Sequence, residues 1–385
     1  MRQIGLRAVF MRGGTSRALM LRAEDLPPGR VRWTPIFLGL MGSPDPNGRQ
    51  LDGMGGGLSS LSKICVIGPP SHPEADVDYT FAQVAIRDAA VDYSGNCGNM
   101  SSAVGPFAID EGIVPTAGGH AVVRIFNTNT RKLIVARFAI DDGRAAVDGA
   151  FVLPGVAGSG APIRLEFLDP GGAATGRLLP SGNALDRLSV NGLGQIEATM
   201  IDAANPCVFV AADSLGLSGV ELPDEIEARP DLLARLEAIR VAASLRMGIA
   251  ADAGAASRIP SIPKVAAIAP PQRAPTLSGA ALAAADADIH VRMISLGQPH
   301  RAVPLTGAMC LAVATRIPGS LPHRLLAAGR APTDSVRIAQ PSGVTVVDAE
   351  VTRADDGWRA IQATVYRTAR RLMEGVAYYR APSDR

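Results

Sequence analysis

The sequence predicts a duplicated α+β protein, two similar domains that each wrap a curved β-sheet around one central helix. Three observations carry this expectation. Many short β-rich runs are separated by glycine and proline turns. Each half contains one conspicuous helix of small apolar residues, and the order of elements in the first half returns in the second. A chain of 385 residues is also long enough for two cores rather than one.

The elements pair off in order. The run LRAVFMRGGTSRALML reads as a strand broken at Gly13-Gly14-Thr15, and IEATMIDAANPCVFVAADSLG as a strand broken at Asn205-Pro206. Next, VDYSGNCGNMSSAVGPFAIDEGIVP is echoed by PHRAVPLTGAMCLAVATRIPGSLP. Each is a strand end, a polar glycine-containing turn, a small-residue helix, then a Gly or Pro stop. Finally AVVRIFNTNTRKLIVARFAIDDG and DSVRIAQPSGVTVVDAEVTRADDG both read as hairpins. The segment from Pro223 to Arg246 has charges on one face and Leu/Ile on the other, the pattern of a surface helix pair serving as scaffold. The boundary is placed after GGAATGRLLPSGN, dividing residues 1–183 from 184–385, with the C-terminal segment allowed to return to the first domain. Both central helices are expected to aim their N-termini at one cleft.

Composition excludes several function classes. A net charge of +2, no basic cluster and few aromatics argue against a nucleic-acid surface. No apolar run reaches membrane-spanning length, and the N-terminus has no apolar signal region, so a cytoplasmic location is expected. Cys65, Cys97, Cys207 and Cys310 are far apart, without metal-ligand spacing, and read as reduced thiols. No cofactor motif is found. The GMGGG run lacks the spacing of a phosphate loop, and Asp52 before it reads as a turn former.

The most informative stretch is Asn96-Cys97-Gly98-Asn99, where a strand pattern gives way to the first small-residue helix. A thiol there faces unpaired backbone N–H groups and the positive end of the helix dipole, which stabilise negative charge. Gly95 and Gly98 allow a ligand to approach the backbone closely. One turn could therefore supply an anion cradle and an acid/base group together. His300-Arg301 precedes the second helix start, where a bidentate arginine would suit a substrate carboxylate. Cys65 lies on the same strand face as Lys63 and reads as a core thiol, while Cys207 is the better candidate to line the cleft.

The stretches MRGGTSRA, LDGMGGGLSSLSKICVI, DVDYTFAQV, SGNCGNMSSAVGPFA, GRLLPSG, DAANPCVFV and PLTGAMCLAVATRIPG occur in this order over most of the chain. Together they resemble the PrpF family of methylaconitate and oxalomesaconate isomerases, on the diaminopimelate epimerase fold. The resemblance implies a base at Lys63 and an acid/base partner at Cys97. It also implies carboxylate-binding groups at Gly13, Gly14, Thr15, Ser16, Asn96, Gly98, Asn99, Asn205, Thr306 and Gly307. Two departures matter. Arg17 stands where lysine is common in the family, which keeps a cation but makes it a planar fork. Pro304 stands near the position of the second thiol of the amino-acid epimerases, and Cys310 lies a turn further in, which disfavours two-thiol racemisation.

The implied reaction is cofactor-independent proton relocation in an unsaturated tricarboxylate, of the 2-methylaconitate cis-trans isomerase type, through a dienolate. The resemblance links it to propionate catabolism. Oxalomesaconate tautomerase is the alternative, amino-acid epimerase comes third, and a non-catalytic polycarboxylate-binding accessory of an aconitase-type enzyme is the competing class. A homodimer and an aconitase-type partner are the partner expectations. Backbone donors for the dienolate are expected from Gly13-Gly14, the loop 52–57 and both helix starts.

Overall fold

The computed structural model describes residues 3–380 apart from positions 94, 296, 330, 332 and 356. Ser94, which opens the SGNCGN stretch, lies outside the described residues. The chain divides into two compact units, Met1–Glu166 with Tyr366–Arg385, and Phe167–Val365.

In chain order the first unit holds β1 (Gln3–Gly13), β2 (Ser16–Arg22), α1 (Trp33–Met41), β3 (Lys63–Gly68), β4 (Val77–Val84), β5 (Val91–Asp92), α2 (Gly98–Asp110), β6 (His120–Asn127), β7 (Lys132–Asp141), β8 (Arg144–Ala145) and β9 (Ile163–Leu168). The second holds β10 (Asp186–Val190), β11 (Gly194–Ala203), β12 (Asn205–Ala211), α3 (Pro223–Glu227), α4 (Pro230–Arg246), α5 (Ala253–Ser257), β13 (Lys264–Ala269), β14 (Ala274–Pro275), β15 (Ala281–Leu282), β16 (Ile289–Ser295), β17 (Gln298–Pro299), α6 (Leu305–Thr315), α7 (Leu321–Leu325), β18 (Val336–Gln340), β19 (Gly343–Ala354) and β20 (Gly357–Arg367), whose last two residues, Tyr366 and Arg367, belong to the first unit. The last strand, β21 (Ala369–Arg380), returns to pair antiparallel with β1.

Each unit repeats one topology. In the first, β1 and β2 form a hairpin, β3 runs parallel to β2, β4 antiparallel to β3, β6 parallel to β4, and β7 antiparallel to β6. In the second, β11 and β12 form the hairpin, β13 runs parallel to β12, β16 antiparallel to β13, β18 parallel to β16, and β19 antiparallel to β18. Both predicted hairpins, β6–β7 and β18–β19, are present. The hairpin expected to break at Asn205-Pro206 turns instead at Ala204, whose φ of 60° makes the bend, while Asn205 already pairs with Ala203.

Side-chain alternation splits each sheet between two helices. In the first unit Leu19, Leu21, Ile64, Val66, Ala82 and Val84 pack on Ile36, Phe37, Leu40 and Met41 of α1. The opposite parity, including Lys63 and Cys65, faces α2. In the second unit Met200, Val208, Val210, Val265 and Ala267 pack on Leu232, Leu236, Ile239 and Ala243 of α4, leaving Lys264 and Cys207 on the other parity. The central helices α2 and α6 are buried almost all round, as expected for helices without a polar face.

The contact division at 166/167 precedes the 183/184 boundary expected from sequence. The Gly/Ala-rich stretch before residue 183 is bound to the second unit by the buried Asp202. Its Oδ2 accepts from Ala174 N at 2.8 Å, Thr175 N at 2.7 Å and Thr175 Oγ1 at 2.8 Å.

Candidate active site

Unit one assembles its candidate residues where the β1–β2 turn meets the start of α2. The contact needs glycine twice. A Cβ on Gly13 would stand 2.7 Å from the Asn99 carbonyl oxygen, and one on Gly14 would stand 2.3 Å from Asn99 Oδ1. Gly14 also has φ +52°, a conformation that side chains disfavour. Asn99 Nδ2 donates to Thr15 Oγ1 at 3.0 Å, so the turn and the helix start are joined by side chains as well as by close packing. Arg12 Nη1 anchors the turn from behind, donating to Gly14 O at 3.0 Å and Thr368 Oγ1 at 2.9 Å.

Cys97 is the residue that caps α2, with extended backbone, partly exposed and making no side-chain cap. No acidic side chain lies in the first turn of α2, so the N–H groups of that turn keep their positive potential. Asn96 braces this start: its Oδ1 accepts from Ser101 Oγ at 3.3 Å and Asn127 Nδ2 at 3.2 Å.

Lys63 opens β3 and is only 7% exposed. It is not a solvated edge lysine. Its Nζ donates to Gln83 Oε1, directly across the β3–β4 ladder, and lies 5.0 Å from the centroid of the Phe81 ring. Gln83 is itself held by donation from Nε2 to Ser62 O at 2.8 Å. Two residues along the same face, Cys65 is fully buried, and its Sγ lies 3.9 Å from Tyr79 Oη. Burial pushes the Cys65 thiol well up; the nearby Cys97 adds to this, while Tyr79 and Lys63 oppose it. Burial likewise pushes Tyr79 up, with Cys65 and Cys97 contributing. Lys63 and Cys97 therefore share one electrostatic neighbourhood around Cys65.

Two expected contributors in this unit stand elsewhere. Arg17 lies on the parity of Leu19 and Leu21, away from α2, and its guanidinium sits 5.5 Å over the ring of Phe10. Ser16, one residue earlier, is on the α2 side and buried. The loop 52–57 spends four of its six N–H donors within the protein. Gly53 N reaches Gln50 O, Met54 N reaches Leu40 O, Gly55 N reaches Met41 O, and Gly57 N reaches Gln50 Oε1 at 3.0 Å.

In the second unit Asn205 begins β12, and its Oδ1 is buried without a hydrogen-bond partner among the described residues. His300 follows β17; its backbone N donates to Met293 O at 2.8 Å, and its Nε2 is buried without a partner among the described residues. Burial, then the neighbouring Lys264, pulls His300 down to about 4. Lys264 is itself lowered by burial, with Cys207 opposing. Thr306 sits in the first turn of α6, half-buried. Gly307 serves packing: a Cβ there would stand 2.3 Å from Met293 Sδ. Arg301 points elsewhere, pairing with Asp224 at 2.8 Å where both side chains are exposed. Cys207 is fully buried rather than cleft-lining, and Cys310 packs with its Sγ 3.5 Å from Ile201 O.

Reading the sequence missed Lys264 and Arg367. Lys264 opens PKVAAIA much as Lys63 opens SKICVIG, so a fourth repeat pair was there to be found. Arg367 carries no local signal, since its place depends on a strand from the far end of the chain. Among the described residues no group of three His, Cys, Asp or Glu side chains is arranged to hold a metal ion, and no helix is long and apolar enough to cross a membrane.

The chain is 42% identical to the 3-methylitaconate isomerase of Eubacterium barkeri, over 98% of this chain and 97% of that one. It is 41% identical to the 2-methyl-aconitate isomerase of Shewanella oneidensis, over 97% and 96% of the two chains. The crystal structure of methylitaconate-delta-isomerase superposes with a TM-score of 0.89 at 41% identity, covering 98% of this chain and 96% of that one. The fold is the diaminopimelate epimerase-like α+β fold. The PrpF protein model matches residues 3–380, and the chain belongs to the PrpF family.

Proposed function

We propose that this PrpF-family isomerase relocates a proton in an unsaturated di- or tricarboxylate of the 2-methylaconitate type, with Lys63 as base and Cys97 as acid. The observation that carries the reading is a buried Lys63, held by Gln83 and the Phe81 ring on the α2 side of β3, together with Cys97 at an α2 start that lacks acidic residues. Proton relocation next to a conjugated carboxylate needs a base, an acid and stabilisation of the dienolate. The Lys63 amine takes the proton from carbon, and the C–H electron pair moves into the dienolate. The ammonium so formed is met by Gln83 Oε1 and the Phe81 face; a cation over an aromatic ring is worth about 0.5–2 kcal/mol. Cys97 then gives its proton to the same or the allylic carbon, and the thiolate recovers a proton from the Lys63 ammonium. N–H groups of the α2 start meet the carboxylate where negative charge grows; the Gly13-Gly14 turn lets the chain pass close to that start but spends Gly14 N on Thr368 O.

In the second unit Asn205, His300 and Thr306 are the proposed contacts for a carboxylate. Among the described residues the buried His300 Nε2 has no partner and, as an N–H, donates to such a carboxylate; the buried Asn205 Oδ1 is an acceptor and needs an N–H or O–H donor such as water. The test is proton NMR of a panel of methylaconitate-, methylitaconate- and oxalomesaconate-type acids in D₂O. Conversion of one of them, with deuterium entering at the same or the allylic carbon, is expected. A protein that binds these acids yet neither converts nor exchanges them would be an accessory, and the reading would fall.

A further inference from the structure

Arg367 is an arginine buried beside a helix N-terminus with no acid to balance it. Its side chain is 7% exposed overall. It uses two of its five N–H donors: Nε reaches Asn99 Oδ1 at 3.2 Å, and Nη1 reaches Tyr366 O at 2.8 Å. Neither partner is anionic, and no carboxylate among the described residues forms an ion pair with it. Burial alone pulls its guanidinium down to about 10. Buried arginines are ordinarily paired. This one sits beside the positive end of α2, where a cation is disfavoured by the helix dipole. The arrangement keeps positive potential at a place where the protein supplies no counter-charge.

Asn99 links Arg367 to the site. Its Oδ1 accepts from Arg367 while its Nδ2 donates to Thr15 Oγ1 at 3.0 Å, so the arginine sets which way the amide points. The remaining guanidinium donors have the planar geometry that suits a carboxylate.

We propose that Arg367 binds one carboxylate of the substrate at the start of α2 and, through Asn99, orients the side of that pocket formed by Thr15. The inference rests on the polycarboxylate reading above, and names a binding residue for it outside the conspicuous motifs. The experiment measures tricarballylate affinity by titration calorimetry, alongside steady-state kinetics, for the full-length wild type, Arg367→Gln and Arg367→Lys. Glutamine can still donate to Asn99 but carries no charge, so Kd and KM are expected to rise at least tenfold, with kcat changing less than KM. Lysine restores charge without the fork and should recover affinity in part. An Arg367→Gln protein that folds and binds tricarballylate within twofold of wild type overturns the proposal. If the glutamine variant does not fold, Arg367→Lys decides: affinity equal to wild type would overturn it, because a point charge should not replace a bidentate contact. Turnover separates the two readings. Wild type that converts an unsaturated acid while Arg367→Gln binds normally sinks only the arginine's role. Arg367-dependent tricarballylate binding without turnover of any panel acid sinks only the isomerase reading.

Discussion

The two units share a backbone plan but carry different chemistry at corresponding points. In both, a hairpin leads into a strand that runs parallel to its second arm, and in both that strand opens with a lysine. Lys63 precedes Ile64, which lies opposite Leu19 of β2; Lys264 lies opposite Cys207 of β12. Both lysines lie on the central-helix side of their sheets. The helix starts then diverge: α2 is capped by Cys97 and α6 by Pro304. Around Lys63 stand Gln83, Phe81 and Cys65, whereas Lys264 shares its surroundings with Cys207 and an imidazole held neutral. Duplication preserves register, because shifting a strand by one residue would turn every side chain to the wrong face. It does not preserve the thiol, which sits in a turn where a proline is equally compatible with starting a helix. On the proposed reading, acid/base equipment is concentrated in the first unit.

The sharpest way to break this comparison is to remove each lysine in turn. Lys63→Met should lower kcat by about 10²–10⁴, the usual cost of losing a general base, with an unchanged thermal unfolding temperature. Lys264→Met should leave most of kcat in place and act mainly on KM, since no thiol accompanies that lysine at its helix start. Steady-state kinetics on the two variants decide the matter. Equal losses of kcat would mean that the units are chemically equivalent and that the asymmetry at Cys97 and Pro304 is incidental.

A smaller effect follows from His300 and belongs to the second unit alone. Its folded-state value is lowered to about 4 from an ordinary 6.5 by burial and by Lys264. The unfolded chain therefore takes up a proton that the folded chain refuses as pH falls. Stability should be full above pH 6.5 and decline as pH drops towards 4, losing on the order of 3 kcal/mol from this group. Urea unfolding at pH 7 and pH 4.5, compared between wild type and His300→Gln, isolates the contribution. The variant should show the weaker pH dependence. Identical slopes would mean that His300 titrates normally and that its surroundings are wetter than the buried Nε2 implies. A bound polycarboxylate should oppose the decline, because a negative charge near the imidazole favours its protonated form.

Much of this was legible in the sequence because it rests on local pattern. The Gly13-Gly14 turn, the small-residue helices and the two long hairpins each announce themselves within about twenty residues. Lys63 and Cys97 could be named as well, since their flanking stretches are distinctive. Three things were hidden, each for a physical reason. Arg17 could not be assigned to a face until the register of β1 and β2 was known, and one residue of alternation separates it from Ser16. The donors of the loop 52–57 looked free because the sequence does not reveal that Gln50 and the carbonyl groups of α1 consume four of the six. Arg367 acts 268 residues away from Asn99, a separation that no local pattern can bridge.

The smallest expected effects come from the two arginines that the geometry leaves aside, one in each unit. Arg17 stacks on Phe10 on the α1 side of its sheet, and such an arginine–aromatic contact is worth about 0.5–1 kcal/mol when exposed. Arg301 pairs with Asp224 with the two side chains 60% and 73% exposed, and a pair of that kind contributes about 0–1 kcal/mol. Arg17→Ala and Arg301→Ala should therefore lower stability by no more than about 1 kcal/mol each and leave kcat/KM within about twofold. The check is kinetic and pairs them with Arg367→Gln under the same conditions. If carboxylate binding rests on the central-helix faces, only the Arg367 variant loses affinity. A tenfold rise in KM for Arg301→Ala would show that the guanidinium leaves Asp224 to reach the substrate. The second unit would then recruit its own arginine, and the charge asymmetry between the units would disappear on binding.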